Sequence, residues 1–538
     1  MSLKPQPSRP MPEDLARIGA ALLPADSPYR WIGDQVYAQY ENAAFADLYH
    51  AEGKPGIQPV DLLFVLAFQA LEDLGDRAAA AAVRLRLDWK YALHLPLDYA
   101  GFDFSVLSDF RARLIAHAAS ARLFDQLLAQ LRQQGLLTRR GRQRTDSLAI
   151  LTRVRLLTRV ELVVETLRLA LRALLAADPT WVRATVPPTW EAQYGGRCVA
   201  ERLSDAERAR LQTETGRDGQ WLLDRLAEAT TPPALTSLPD VVTLRTVWAQ
   251  QFELRDQQIV FRDLRGYDGA TQIQTPHDIE ARWSKKGRAT WVGDKLQVTE
   301  TDDADRPHLI TDIALTSSVE GDTTALADIQ ARQVARDALP SERYVDQAYV
   351  SGATLEASAQ RGEDLIGPAS TADPSPQARM ADGLTQAHFQ IDLDARVATC
   401  PAGATARGRD QADGTIRFVF DADRCGSCAL RPRCCSGKDG RRLTTSPGHA
   451  ALALARARQA TEAFKTAYRA HRGGVEGCLS ALVRGHGIRV NRSIGRAKNH
   501  LRAVFVGVAV NLRRAAHWLA GKRPQIRRSG LGLAGGNG

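Results

Sequence analysis

Three acidic residues have the setting that phosphate chemistry needs. Asp146 opens an apolar, strand-like run, and Asp346 closes the short run Arg343-Tyr344-Val345-Asp346. Glu476 stands at the start of a helical stretch, in Gly473-Gly474-Val475-Glu476-Gly477. Acids at strand ends, gathered across a sheet, offer hard oxygen ligands to two Mg2+ or Mn2+ ions. Two such ions about 3.5–4 Å apart can activate a nucleophile and stabilise a leaving 3′-oxygen in an in-line displacement. The chain has 61 Asp and Glu residues, so periodicity alone does not separate this trio from solvated surface acids.

A second constellation is built from sulfur. Of seven Cys, four fall between Cys425 and Cys435. Cys425-x-x-Cys428, with Cys434 close behind and Cys400 upstream after a strand, has the spacing of a structural Zn2+ ribbon. Cys435 competes with Cys434 as a ligand. In a reducing cytoplasm such a cluster reads as a metal site sooner than as disulfides; the alternative is a set of reduced, unliganded thiols. Cys198 and Cys478 have no partner pattern and read as buried fillers.

The third is basic. Arg484, Arg489, Arg492, Arg496, Lys498, Arg502, Arg513 and Arg514 follow Glu476 closely. They read either as a DNA-binding surface that neutralises phosphates or as a solvated helix face. Net charge is +10, which favours a polyanionic partner. The basic residues are mostly Arg, through codon bias or because Arg pairs bidentately with phosphate and guanine. No apolar run of about 18 residues and no signal-peptide pattern is seen, which predicts a cytoplasmic protein with no membrane partner.

These residues need elements to position them. Residues 1–56 read as loosely ordered, with Pro5, Pro7, Pro10 and Pro12 at the start. Residues 57–138 read as all-α. One helix runs from Pro59, and a second, Arg77 to Tyr91, is capped by Asp76 across a tight turn. The pair is either a helix-turn-helix or part of a plain bundle used for dimerisation. Further helices are predicted from a Ser108 cap and over Ser120–Gly135. Arg139–Arg144 reads as a basic linker. Residues 139–370 follow as an α/β unit with a helical insertion at about 160–265. In it Trp291–Thr299 and His308–Leu315 form a strand hairpin. Thr323–Ala338 is a helix, Arg343–Asp346 a strand, and Leu355–Arg361 a helix capped by Thr354. Leu365–Gly367 is the last strand. Residues 371–450 carry the Cys cluster on short strands, 451–520 return to helix, and 521–538 read as a disordered Gly-rich tail.

Three motifs then resemble the catalytic motifs of the DDE transposases of bacterial insertion sequences, most closely the eleven-eighty-two-like group. They are Arg144-Thr145-Asp146-Ser147, Tyr344-Val345-Asp346-Gln347-Ala348-Tyr349 and Gly474-Val475-Glu476-Gly477. Ala281-Arg282-Trp283, Trp291-Val292-Gly293, Pro307–Thr311 and Asp109–Leu114 resemble the same group, in the same order. The resemblance implies an α/β fold with an RNase H-like catalytic core, and cleavage and strand transfer at terminal inverted repeats. It further implies two divalent ions on Asp146, Asp346 and Glu476, the Cys region as an insertion, and a dimer or higher oligomer on double-stranded DNA. The wider superfamily places Tyr and Arg before the Glu and Lys after it. Arg472 fits, four residues before Glu476, as a phosphate contact. Tyr468 stands one residue further back than usual, and Val483 occupies the Lys position, with Arg484 the nearest base. A catalytically inactive DNA-binding relative and a metal-dependent nuclease are the alternative readings.

Overall fold

The computed structural model describes residues 2–523, except positions 264, 266, 267, 372–374 and 446–447. The tail expected to be disordered lies outside the described residues from 524 onward.

The first 56 residues are not loose. Tyr29, Trp31, Ile32, Val36, Tyr37 and Phe45 are buried in the main core. Apolar side chains that follow the N-terminal prolines explain the difference: their burial outweighs a Pro-rich composition. Helix α1 (Pro59–Glu72) starts with Pro at its first turn, where the missing N–H costs nothing, and stops at Asp73, which is left-handed at φ 59°. Helix α2 (Asp76–Leu85) follows. Asp76 is its first helical residue rather than its cap, and its carboxylate accepts from Gln69 (2.7 Å) and Arg111 (2.9 Å). The helix expected to reach Tyr91 is interrupted at Arg86, which is extended. Helices α3 (Ser105–Ala116) and α4 (Arg122–Gln133) complete the block; Ser108 lies inside α3 and is not its cap.

Strand β1 (Arg142–Leu151) begins inside the stretch expected to be a basic linker. Helices α5 (Arg159–Ala177), α6 (Asp205–Leu226) and α7 (Pro239–Gln251) come next. The first two start at capping boxes, Thr158 with Glu161 and Ser204 with Glu207. They enclose a second core around Leu167, Trp190, Leu222 and Trp248.

Strands β2 (Ala289–Thr301) and β3 (Ile310–Ser317), helix α8 (Asp322–Ala335), strand β4 (Glu342–Tyr344), helix α9 (Gly352–Gln360) and strand β5 (Asp364–Ile366) then build the central sheet. Its order is β3-β2-β1-β4-β5. β2 runs antiparallel to both β1 and β3, whereas β1, β4 and β5 are parallel. A short strand, Arg282–Lys286, forms a hairpin with the first residues of β2. Ser351, not Thr354, caps α9; Thr354 is the third residue of the capping box.

Five short strands, β6 (Gln390–Asp392), β7 (Val397–Thr399), β8 (Thr405–Asp410), β9 (Ile416–Val419) and β10 (Arg442–Thr445), make an antiparallel meander over Phe389, Phe418, Phe420 and Leu443. Four helices end the described chain: α10 (His449–Gln459), α11 (Glu462–Arg472), α12 (Gly474–His486) and α13 (Arg496–Leu519).

Helix α13 ties the ends of the chain together. It is buried along Leu501–Leu512, between β3 and α1. The Asn511 side chain donates to Ile310 O and accepts from Ile310 N, both at 2.8 Å. Phe64, Phe110, Leu127, Leu296, Ile313 and Val508 belong to one continuous core. The N-terminal helices are therefore part of the sheet's own packing and not a separately folded body. Among the described residues no helix is long and apolar enough to cross a membrane.

Candidate active site

Strand β1 carries Asp146 in its middle, opposite Val298 of β2. Strand β4 pairs beside it, with Arg144 next to Tyr344, and Asp346 follows β4 directly. Parallel pairing brings residues 200 positions apart to the same pole of the sheet. The Asp346 carboxylate caps a single turn, accepting from Ala348 N at 3.0 Å. Burial pushes its carboxyl above the ordinary range, the Asp146 charge pushes it further, and Lys286 pulls it back. Lys286 Nζ, from the hairpin ahead of β2, lies 3.9 Å from Asp346 Oδ2.

Asp146 is held from two sides. Ser147 N donates to its Oδ1 at 2.7 Å, and Arg472 Nη2 donates to its Oδ2, also at 2.7 Å. The Nε and Nη1 atoms of Arg472 are buried with no hydrogen-bond partner among the described residues. Tyr468, one helical turn earlier on α11, donates its hydroxyl to Val345 O at 3.0 Å, and the charges of Arg472, Asp346 and Asp146 all act on it. Tyr468 thus belongs to the site despite its extra residue of spacing, because i and i+4 share a helix face.

Glu476 does not join them. It is exposed in the first turn of α12 and makes no hydrogen bond or ion pair among the described residues. Arg472 ends α11 and Glu476 belongs to α12; the two helices meet at Gly473, itself right-handed helical at φ −61° and ψ −26°. Among the described residues no three His, Cys, Asp or Glu side chains are grouped so as to hold a metal ion.

The donor chemistry nevertheless suits a divalent ion. Burial raises the Asp346 carboxyl, and repulsion from the neighbouring Asp146 carboxylate adds to it. A dication relieves that repulsion, and carboxylate oxygens are the ligands Mg2+ and Mn2+ take. Asp146 and Asp346 would hold it.

The basic residues after Glu476 divide into two groups. Arg484, Arg489 and Lys498 are exposed, and Arg492 is exposed but paired with Asp73 at 2.5 Å. Arg496 turns inward to Asp294 at 2.9 Å and to Glu280, so the expected surface contact is an internal ion pair. Arg514 pairs with buried Glu300 at 2.8 Å, and burial lowers the Arg502 guanidinium to about 10. Arg496 and Arg514 hold α13 to β2, and Arg502 ties it to the carbonyls of His486, Gly487 and Val490. The missed residues are Arg144, Lys286, Asp302 and His471. Arg144 alone had a signal, standing two residues before Asp146 on the same strand face.

Cys400, Cys425, Cys428, Cys434 and Cys435 line one pocket among the strands of the meander. Burial, reinforced by Cys435, Cys425 and Cys400, pushes the Cys434 thiol up to about 11. Cys478 is buried against Arg514, 3.4 Å from its Nη2, and Cys198 is half-buried.

Two family models match the chain. One, described as Transposase DDE domain, matches residues 399–516, and the other, described as Transposase domain (DUF772), matches residues 19–113. The first covers the Cys region, Arg472 and Glu476; the second covers α1 to most of α3. No curated protein and no solved structure matches. Two transposase family models on one α/β fold indicate a DDE transposase of the insertion-sequence kind, an enzyme acting on DNA, and the DDE domain implies dependence on a divalent metal ion.

Proposed function

We propose that this transposase is of the eleven-eighty-two-like group, with an RNase H-like core in which Asp146, Asp346 and Glu476 are the ligands of two Mg2+ or Mn2+ ions. The order β3-β2-β1-β4-β5, antiparallel over the first three strands and parallel over the last three, supports the fold. The observation that carries the site is the meeting of Asp146 and Asp346 beside Arg472, from three distant stretches of chain. The ions, when bound, activate the attacking oxygen and stabilise the leaving 3′-oxygen.

The protein's own groups orient the rest. Ala348 N fixes the Asp346 carboxylate, and Tyr468 fixes the backbone that carries it. Arg472 exchanges Asp146 for a phosphate of the element end, using donors that have no protein partner. Glu476, exposed in the first turn of α12, would have to approach the two aspartates to complete the ligand set. Water cleaves at the terminal inverted repeats, and the freed 3′-hydroxyls attack target DNA.

Substrate DNA would run along a groove between the N-terminal helices and the segment after α12. Arg111, Arg153, Arg492, Lys498 and Arg502 line it, Arg111 paired with Asp76 and Arg492 with Asp73. Residues 57–138 then read the repeats, and two copies act together on DNA. Cys400, Cys425, Cys428 and Cys434, which line one pocket, are the residues that would hold a structural Zn2+ once drawn together.

Asp346→Asn removes an ion ligand and not a DNA contact. It should abolish end cleavage and strand transfer while binding of the terminal repeats stays near wild type. Full cleavage by that variant would sink the reading; loss of transfer alone, in a wild-type enzyme that still cuts, would favour a nuclease.

A further inference from the structure

A buried polar cluster lies directly behind the site, and the catalytic reading does not use it. Arg144 sits on β1 two residues before Asp146, on the same strand face. Its side chain is 6% exposed, and it binds Glu300 (2.8 Å) and Asp302 (2.6 Å). Its Nη1 also donates to the backbone O of His471 at 3.2 Å, and its Nη2 meets His308 Nδ1 at 3.1 Å. The second oxygen of Asp302 contacts His471 Nδ1 at 2.6 Å. A carboxylate only accepts, so that nitrogen carries the proton. The His471 ring lies 4.9 Å from the Tyr344 ring, two residues before Asp346.

Helix α11 therefore meets the sheet at three consecutive places near its end: Tyr468 on Val345, His471 on Asp302 and Arg472 on Asp146. The helix junction is shaped to the same guanidinium. A Cβ placed on Gly474 would collide with Arg144 Nη1, Cζ and Nη2. Gly474 has no unusual backbone angle to justify a glycine, so the close approach of Arg144 is the reason for it.

We propose that Arg144, Asp302 and His471 form a latch that positions the junction of α11 and α12, setting Arg472 and Glu476 against the strand that carries Asp146. They are positioning residues: Arg144 touches the junction, and the junction carries the groups that act. A buried ion pair of this kind fixes one geometry at a desolvation cost. A displacement of about 1 Å at a reacting centre can cost roughly 100-fold in rate. The proposal rests on the reading of Arg472 and Glu476 as parts of the site.

The test is a double-mutant cycle on end cleavage with Mg2+, with binding of a terminal-repeat duplex measured in parallel. Gly474→Ala should lower the cleavage rate constant by roughly 10- to 100-fold, with the dissociation constant of the duplex nearly unchanged. Combined with Arg144→Ser, which removes the atoms the new methyl meets, it should cost no more than Arg144→Ser alone. His471→Leu should lower the rate, and His471→Asn, which keeps a donor near the Nδ1 position, should restore most of it. The latch is overturned if Gly474→Ala or His471→Leu cleaves at the wild-type rate, if the two penalties simply add, or if His471→Asn is no better than His471→Leu. Failure of the underlying site reading would show differently, as full activity of Asp146→Asn in the same assay.

Discussion

Arg472 Nη2 lies 2.7 Å from Asp146 Oδ2, joining residues 326 positions apart in the chain. The two side chains are 12% and 10% exposed, so the contact is poorly screened by solvent. A guanidinium so placed competes with a cation for the same carboxylate.

Arg472→Ala should therefore have two opposite effects. The Mg2+ concentration giving half the maximal rate should fall, by up to about 10-fold for one charge-assisted hydrogen bond. The maximal cleavage rate should fall as well, because the proposed phosphate contact would be lost, and Arg472→Lys should recover only part of it. A metal titration of cleavage checks both. An unchanged maximal rate would remove Arg472 from the site.

The hairpin that places Lys286 beside Asp346 exposes Lys285 and Arg288 at its tip. In the proposed site, the hairpin's position beside Asp346 would set it against the scissile strand. Neutralising Lys285, Lys286 and Arg288 together should reduce the slope of log affinity against log salt by about 2 to 3. Footprinting should show lost protection nearest the cleaved bond. An unchanged slope would place the hairpin off the DNA.

The Cys pocket should carry about one zinc per chain, as a four-ligand thiolate site does. Cys425→Ser with Cys428→Ser should release it and loosen the meander locally, since thiolate ligation and folding are coupled. Elemental analysis of protein purified without chelators checks this; absence of zinc in the wild type would leave five reduced thiols around an apolar pocket.

Acid should destabilise the fold through two histidines, His486, which is buried, and His500, which is half-buried. His486 joins α12 to Ala70 of α1 through Nδ1 (2.8 Å), and its Nε2 faces Arg513 at 3.3 Å. His500 Nδ1 accepts from Leu315 N at 3.2 Å. Burial lowers both imidazoles below the ordinary 6.5, with Arg513 and Arg502 acting on one and Arg332 and Arg336 on the other. A depressed folded-state value favours the neutral ring, so the contribution is complete above 6.5. It is lost as pH falls below 6.5 toward the folded-state values. The melting temperature should drop over that window, and His486→Gln should flatten the dependence. A melting temperature constant from pH 7.5 to 5 would contradict it.

The central strands were legible because their apolar runs alternate and end at turn residues; β2, β3, α8 and β4 lie within a few residues of expectation. β1 was legible only in part. Its first half is Arg142-Gln143-Arg144-Thr145, which reads as a linker until Glu342, Glu300 and Asp302 are seen to neutralise it. Residues 1–56 were misread for a related cause: proline content describes local chain preference, while Tyr29, Trp31 and Phe45 answer to a core completed by residues more than 400 positions away. Arg496, expected on the surface, has its partners on β2 and in the segment ahead of it, and no local pattern records a partner 200 residues away.

The sequence by itself determined the chemistry on offer: two strand-borne aspartates, a glutamate after a glycine pair, a knuckle of cysteines and a basic tail half. Motif spacing is a property of the chain and survives without coordinates. Tertiary structure alone decided which of these meet. Parallel pairing of β1 with β4 brings Asp146 to Asp346, and the packing of α11 on those strands brings Arg472 to both. Long-range burial and ion pairing set those contacts, because a carboxylate or guanidinium withdrawn from water must find its partner wherever the fold has placed one.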